Sequence, residues 1–520
     1  MTEGVGDLRL AEVVALLSLG TDLGLGQPME HMIRTSLLAL RMAERLGLSD
    51  EERGVMYYSG LLAWVGCHTD AYEQAKWLGD DMAVKGEAHY AFDLGKVGPA
   101  TAFLLRNVGG AGRSLRQRAR VGLGFVGDGR RALAALAENH YLASDELAAR
   151  LDLGVDVRES LRQSYERWDG KGAFKLKGEQ IAITSRLVNL ADVVEVYRRT
   201  GGIDAATEVA RQRSGTQFDP ELVRLFCGQA TTLFAGIDEA STWGQVIEAH
   251  PVLTPVLEPG RIDEVLDAVG EFAELKSPWR LGHSRGVSHL VEGAGKVARL
   301  PEGEVAQLRR AAVLADIGQL GISNSILDKA EPLTPSEVER FRLHPYLSER
   351  MLSFSPALAP LGATAMLHHE RMDGSGYPRG LAGSGISRAG RLLAAADAYQ
   401  SLVEPRPYRA AHSADAATAE LRSAASAGKL DGDAVHAVLA AAGRRTPRRE
   451  DWPSGLTTRE VEVLRLVARG MSNKEVATRL VISVKTAGTH VEHIYKKIGA
   501  SNRAQAGLYA AMNGLMSDGS

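Results

Sequence analysis

Apolar residues recur at three- and four-residue spacing along most of the chain, the period of a helix with one buried face. Leu37, Leu38, Leu40 and Met42 lead into Leu46-Gly47, an amphipathic helix with a glycine stop. Similar stretches lie near 132–151, 181–197, 262–275, 305–317 and 336–352. Clean two-residue alternation is nearly absent, so the predicted class is mainly α. Two segments interrupt the pattern. Residues 276–282 carry Pro278 and Gly282 and read as a linker. Residues 443–455 hold two prolines, four arginines and no periodicity, a hinge before a last compact unit.

The chain also repeats itself. Glu166-Arg-Trp-Asp-Gly-Lys-Gly172 and Glu370-Arg-Met-Asp-Gly-Ser-Gly376 stand 204 positions apart, as do His140 and His344. Upstream, His31 and His283 stand 252 apart. This order of coincidences indicates a tandem duplication of one helical domain, with extra residues in the first copy between about 70 and 135.

Length and charge narrow the picture. At roughly 150 residues per domain, 520 residues make three or four domains. The formal net charge is −3, so any phosphate-binding face is local. Residues 455–520 hold nine Lys and Arg against five Asp and Glu, a net +4. Two cysteines, Cys67 and Cys227, make no disulfide framework and fit a reducing cytoplasm. Met1–Leu10 lacks the basic start of a signal peptide, and no run approaches the roughly 18 apolar residues of a membrane span.

The basic tail carries the sharpest local signals. Thr457-Thr-Arg-Glu460 and Ser472-Asn-Lys-Glu475 are capping boxes, and Ser483 heads a third helix that stops at Gly499. A fourth helix follows Asn502. Two helices joined tightly in this way form a helix-turn-helix that reads a major groove. The segment resembles the LuxR/NarL-type DNA-binding domain through Leu456–Glu460, Gly470–Ala477, Ile482–Thr486 and Thr489-His490-Val491. That resemblance implies double-stranded DNA as partner. The candidate contacts are Lys474, Lys485, Thr486, Thr489, His490, His493, Lys496 and Lys497. Thr486-Ala487-Gly488 and Glu492 depart from the family pattern. Gly488 weakens the reading helix, and Glu492 repels phosphate or selects a cytosine amino group. Ala504, Ala506, Leu508 and Ala510 offer a small-residue face for pairing, and the expected state is a homodimer.

The second repeat gathers His283, Asp316, His344, His368, His369 and Asp397, the imidazole and carboxylate donors that Fe, Mn or Zn take. Adjacent His368 and His369 diverge on a regular helix, so they imply a helix end wrapped around a centre. The order His283-Ser-Arg, Asp316-Ile-Gly, His344-Pro and His368-His-Glu-Arg-Met-Asp-Gly-Ser-Gly-Tyr-Pro378 resembles the HD-GYP branch of the HD-domain phosphohydrolases. The resemblance implies a divalent-metal centre and a cyclic dinucleotide, such as cyclic di-GMP, as substrate or ligand. Arg371, Asp373 and Tyr377 are its candidate ligand residues. It also implies one metal on His283, a histidine, Asp316 and Asp397, and another on Asp316, His344, His368 and His369. Ala315 stands where the family has that histidine, and Gln319 where it has a lysine. Both losses argue for weak or absent hydrolysis.

The first repeat keeps His31, His140 and Asp192 but has Ala63-Trp64 and Ser164-Tyr165 in place of the other ligands. Three scattered donors hold no metal pair, so it reads as a catalytically dead module for sensing or dimerising. Tyr165 and Trp168 either stack on a nucleotide base or pack in the core. The expected architecture is two HD-like helical domains in tandem plus a C-terminal four-helix LuxR-type helix-turn-helix. Its parts are a degenerate domain at 1–235, linker helices at 236–278, a second domain at 279–442, a linker at 443–455 and the DNA-binding unit at 456–520. Two functions follow: a cytoplasmic DNA-binding regulator whose HD-like domains sense a ligand, or a bifunctional phosphodiesterase that also binds DNA.

Overall fold

Short polar side chains begin the helices. Ser49, Thr334 and Thr457 each accept a hydrogen bond from the amide three residues on, and the glutamate there reaches back to the cap. Ser387, Ser413, Asp431 and Ser483 cap four more. Each satisfies an amide that the first helical turn leaves without a partner. The computed structural model describes residues 8–86, 90, 107, 130–237, 242–249, 256–444, 452–480, 482–513 and 515. Among them there are helices and isolated bridges but no strand. No helix of the described residues is long and apolar enough to cross a membrane. The insertion expected between about 70 and 135, and residues 445–451 of the hinge, lie largely outside the described residues.

The chain forms two compact units, Met1–Arg444 and Arg445–Ser520. Within the first, the two repeats share a core. One apolar cluster runs from Leu8 through Leu38, Val194 and Leu266 to Leu361 and Ala365. A second gathers Val291, Leu308, Leu393, Tyr399 and Val438 beneath the last helices. Polar ties cross between the halves: Ser355 Oγ donates to Glu12 Oε1 at 2.7 Å. Asp81 Oδ1 accepts from Ser323 Oγ and the Asn324 amide, both at 2.8 Å.

The stretch 276–282 is no linker. Lys276 is 2% exposed, and its Nζ lies 3.5 Å from Asp81 Oδ2. Ser277 Oγ donates to Asp328, and Arg280 pairs with Asp316. Pro278 and Gly282 break the helical period without loosening the chain, because buried ion pairs hold the joint.

The second unit contains helices Thr458–Ala468, Asn473–Leu480, Val484–Ile498 and Arg503–Met512. Val461, Leu464, Val476, Ala487 and Ile494 form its core. Ala506 and Ala510 are fully buried in that core, so these two members of the expected pairing face pack inside their own unit.

Candidate functional site

The centre of the first unit is built from helix ends. His283 opens the helix His283–Val297, behind Gly282 in the left-handed region. Asp316 follows the helix Glu302–Leu314 at its break into a tighter turn. His344 begins the helix His344–Leu352. The helix Ala359–Ala365 tightens into a 3₁₀ turn over Met366–His369, and that turn brings both adjacent histidines inward. Asp397 lies inside the helix Arg388–Val403.

These residues meet in two groups, His344 with His368 and His369, and His283 with Asp316 and Asp397. Asp316 joins them. Its Oδ1 lies 3.3 Å from His344 Nε2 and 3.4 Å from His368 Nε2, and its Oδ2 lies 3.5 Å from His283 Nε2. His344 Nδ1 donates to the Phe341 carbonyl at 2.7 Å, and His368 Nδ1 to the Ala365 carbonyl at 2.6 Å. In the neutral rings those protons leave both Nε2 atoms as acceptors, 3.2 Å apart. Asp316 Oδ1 is buried beside them with no hydrogen bond of its own. Lone pairs and an orphan carboxylate oxygen converging on one point are the donor set of a divalent cation, so this half fits a metal ion.

The other half differs. His283 Nδ1 donates to Glu404 Oε2 at 2.8 Å, and its Nε2 faces Asp397 Oδ1 at 3.1 Å. The guanidinium of Arg280 lies against Asp316 Oδ2. Ala315, buried in the apolar core, supplies no donor. Burial works against the Asp316 charge, yet Arg280 and the imidazoles hold its pKa well below the usual carboxylate range. Burial and then His368 push the His369 pKa well down, keeping its imidazole neutral.

The candidate ligand residues part company. Tyr377 sits with its ring centre 4.7 Å from that of His369, at the edge of the cluster. Arg371 Nη1 donates to the carbonyls of His368 and Glu370 and so braces the histidine turn. Asp373 is exposed and accepts from the amide and hydroxyl of Ser375; it shapes a turn and does not face the centre. Glu370 holds the loop by accepting from the amides of Arg379 and Leu381 at 2.8 Å each. A Cβ on Gly376 would fall 2.4 Å from the Arg371 nitrogen, so that close approach requires glycine.

Apart from Gln319, the residues lining the neighbouring cavity were not among the sequence candidates. Beside the centre lies a cavity of about 520 Å³ lined by Trp279, Arg280, Gln319, Lys329, Arg406 and Tyr408 among others. Gln319 is 7% exposed, and its Nε2 has no partner. Trp279 and Arg280 are more than 100 positions from Arg406 and Tyr408, so no local spacing signals that they line one cavity.

The first repeat preserves the outline without the chemistry. His31 Nε2 stands 2.9 Å from Asp192 Oδ1, and His31 Nδ1 2.5 Å from Glu195 Oε2. Glu166 is buried and accepts from the Phe174 amide, and Gly172 approaches the Glu166 backbone, as Gly376 approaches Glu370. In place of the bridging carboxylate and one imidazole, Trp64 and Tyr165 pack edge to face at 5.2 Å. Tyr165 Oη also lies 3.1 Å from His140 Nδ1 and 3.2 Å from Cys67 Sγ. Tyr165 is therefore core; Trp168 lies under the Arg186 guanidinium at 5.6 Å.

In the second unit, Ser483 caps Val484–Ile498, and Lys485, Thr486, Thr489, His493 and Lys496 are exposed along it. Lys474 is exposed on the preceding helix, and His490 is half-buried. Lys497 is otherwise engaged: its Nζ donates to Glu460 Oε2 at 2.7 Å and to the Gly455 carbonyl. Val484 is 53% exposed at the head of the helix, an apolar side chain that periodicity had assigned to no role.

Residues 267–434 match the family described as HD domain, and residues 454–510 that of bacterial regulatory proteins, luxR family. The chain is 29% identical over 415 residues to the 3'3'-cGAMP-specific phosphodiesterase 3 of Vibrio cholerae, covering 79% of this chain and 90% of that one. It is 38% identical over 148 residues to a cyclic di-GMP phosphodiesterase of Thermotoga maritima, 28% of this chain and 40% of the relative. A crystal structure of a cyclic GMP-AMP-specific phosphodiesterase from V. cholerae superposes with a TM-score of 0.58 at 26% identity, covering 84% of this chain and 98% of that one.

Proposed function

From a chain that joins an HD domain to a C-terminal luxR-family helix-turn-helix domain, we propose a cytoplasmic, DNA-binding transcription regulator whose HD half binds a cyclic dinucleotide. One observation carries this reading. The cavity beside the histidine cluster combines flat aromatic faces with fixed cations, Trp279 and Tyr408 with Arg280, Lys329 and Arg406. Bases stack on such faces, and phosphodiesters pair with such cations. Its volume of about 520 Å³ suits a ligand of that size. The relatives named above act on cyclic dinucleotides. Gln319 replaces an ammonium with an unpartnered amide donor, which binds phosphate oxygen without supplying a charge.

His344, His368, His369 and Asp316 would hold a divalent ion, which when bound polarises a phosphoryl oxygen and lowers the pKa of water. Around it, Tyr377 walls the site beside His369, and Glu370 and Arg371 hold the histidine turn in place. In the second unit, Lys485, Thr486 and Thr489 face the major groove, with Lys474 and Lys496 on phosphates. The regulator acts as a homodimer on paired half-sites. We place the two HD-like repeats at 1–235 and 279–442, the second carrying the ligand and the first supporting it.

The three histidines favour a second reading, slow hydrolysis of the bound cyclic dinucleotide. Calorimetric titration of the manganese-loaded full chain with 3'3'-cGAMP and with cyclic di-GMP, followed by chromatography of the mixture, tests both. Saturable binding with intact nucleotide supports the sensor. A linear dinucleotide as product supports the phosphodiesterase. No heat and no product with either nucleotide contradicts both.

A further inference from the structure

Two donor groups meet at Asp316, and a cationic side chain already contacts one of them. On the Oδ1 side the three imidazoles of His344, His368 and His369 bring no positive charge of their own when neutral. On the Oδ2 side a guanidinium is already in place: Arg280 contacts Asp316 Oδ2, the atom that His283 Nε2 also faces at 3.5 Å. A dication among His283, Asp316 Oδ2 and Asp397 would compete with Arg280 for the same oxygen and sit against its charge. Arg406 adds a second cation, with Nη2 3.4 Å from His283 Nδ1 and 2.9 Å from Glu404 Oε2. Ala315 offers no ligand to offset that repulsion. Arginine keeps its charge at every working pH and cannot be chelated away. It also reaches beyond Asp316, because Arg280 lines the cavity that holds Gln319, Lys329 and Arg406.

We infer that Arg280 takes the place of one of two metal ions: the chain holds a single divalent cation on His344, His368, His369 and Asp316 Oδ1, while the Arg280 guanidinium supplies the second positive charge, facing a bound phosphodiester. The inference rests on reading the histidine cluster as a metal site. It assigns a role to the sequence Trp279-Arg280-Leu281-Gly282 and ties it to Ala315. The exchange keeps a cation for binding phosphate and gives up an ion able to activate water.

The test counts ions. The full chain is stripped with chelator, dialysed without oxygen against excess Mn(II), desalted and analysed by mass spectrometry of the metal and by electron paramagnetic resonance. The wild type should retain about one Mn(II) per chain with the six-line spectrum of an isolated ion. His369→Ala should retain less. The double variant Arg280→Ala, Ala315→His should retain about two, with an exchange-coupled spectrum. Two coupled ions in the wild type overturn the inference and leave the metal site standing. No ion in the wild type overturns both. A double variant that melts like the wild type yet still holds one ion overturns the inference. If the double variant does not fold, Arg280→Gln decides: retention above one ion per chain supports the inference, and unchanged retention overturns it.

Discussion

His344 Nε2 lies 3.2 Å from His368 Nε2, and each ring donates its Nδ1 hydrogen bond to a backbone carbonyl. Burial opposes a charge on His368, but Asp316 raises its pKa, so a proton fits between the two nitrogens when no ion is there; a divalent cation would take that proton's place. Metal should therefore stabilise the first unit by mass action, about 2.7 kcal/mol at a hundredfold excess over Kd. Thermal melting with and without Mn(II) checks this. His368→Ala should melt at the same temperature in both, and a metal-induced shift that survives His368→Ala would place the ion elsewhere.

The first repeat gives a pH dependence. Burial alone would depress His31, but the Glu195 and Asp192 carboxylates raise its pKa from 6.5 to about 10. The folded chain then binds a proton that the unfolded chain lacks between those values. The His31 contribution is complete below pH 6.5 and is lost as pH rises through about 10. The stability gap between wild type and His31→Gln should shrink steadily over that window in urea titrations. A gap that widens with pH would mean that His31 is neutral in the fold.

Lys485 and Lys497 separate DNA contact from scaffold. Lys485 is exposed on the reading helix, whereas Lys497 neutralises Glu460, which is only 4% exposed. Lys485→Ala should weaken duplex binding and lower the slope of log K against log salt by about 1. Lys497→Ala should leave the slope unchanged and destabilise the unit by about 1 kcal/mol, because Glu460 loses its cationic partner but keeps the Thr457 cap. Anisotropy at several salt concentrations and melting of each variant check the pair.

Gly488 lies within the helix Val484–Ile498, and a Cβ there would meet only Asn473 Nδ2, at 3.7 Å. Gly488→Ala should stabilise the DNA-binding unit by about 0.5–1 kcal/mol. Denaturant melting measures it, and a loss of stability would show that the helix is strained there.

What the sequence shows well here is local. Thr457 and Glu460 are three residues apart, as are Ser472 and Glu475, and their caps appear as read. The helix end at His368-His369 is also local, since adjacent side chains converge only where a helix tightens. What escapes is held by distance. Lys497 finds Glu460 across 37 positions, and Arg280 finds Asp316 across 36. Neither pair follows a period, so Lys497 reads as a phosphate contact and 276–282 as a linker. Ala506 and Ala510 look like a free face until the first helix of their unit is packed on them. Asp373 is a turn residue inside the same string as His368, His369 and Tyr377, which do meet at the centre.

In a ligand-sensing regulator, ligand binding in the first unit changes DNA binding in the second. The direct measurement is the affinity of the full, metal-loaded chain for duplexes it selects from a random pool, with and without saturating 3'3'-cGAMP or cyclic di-GMP. The account predicts that one of the two nucleotides changes DNA affinity by roughly 5-fold or more, and that Arg406→Ala, in the ligand cavity, removes the change without altering affinity in its absence. Equal DNA affinity with the cavity saturated and empty would contradict it.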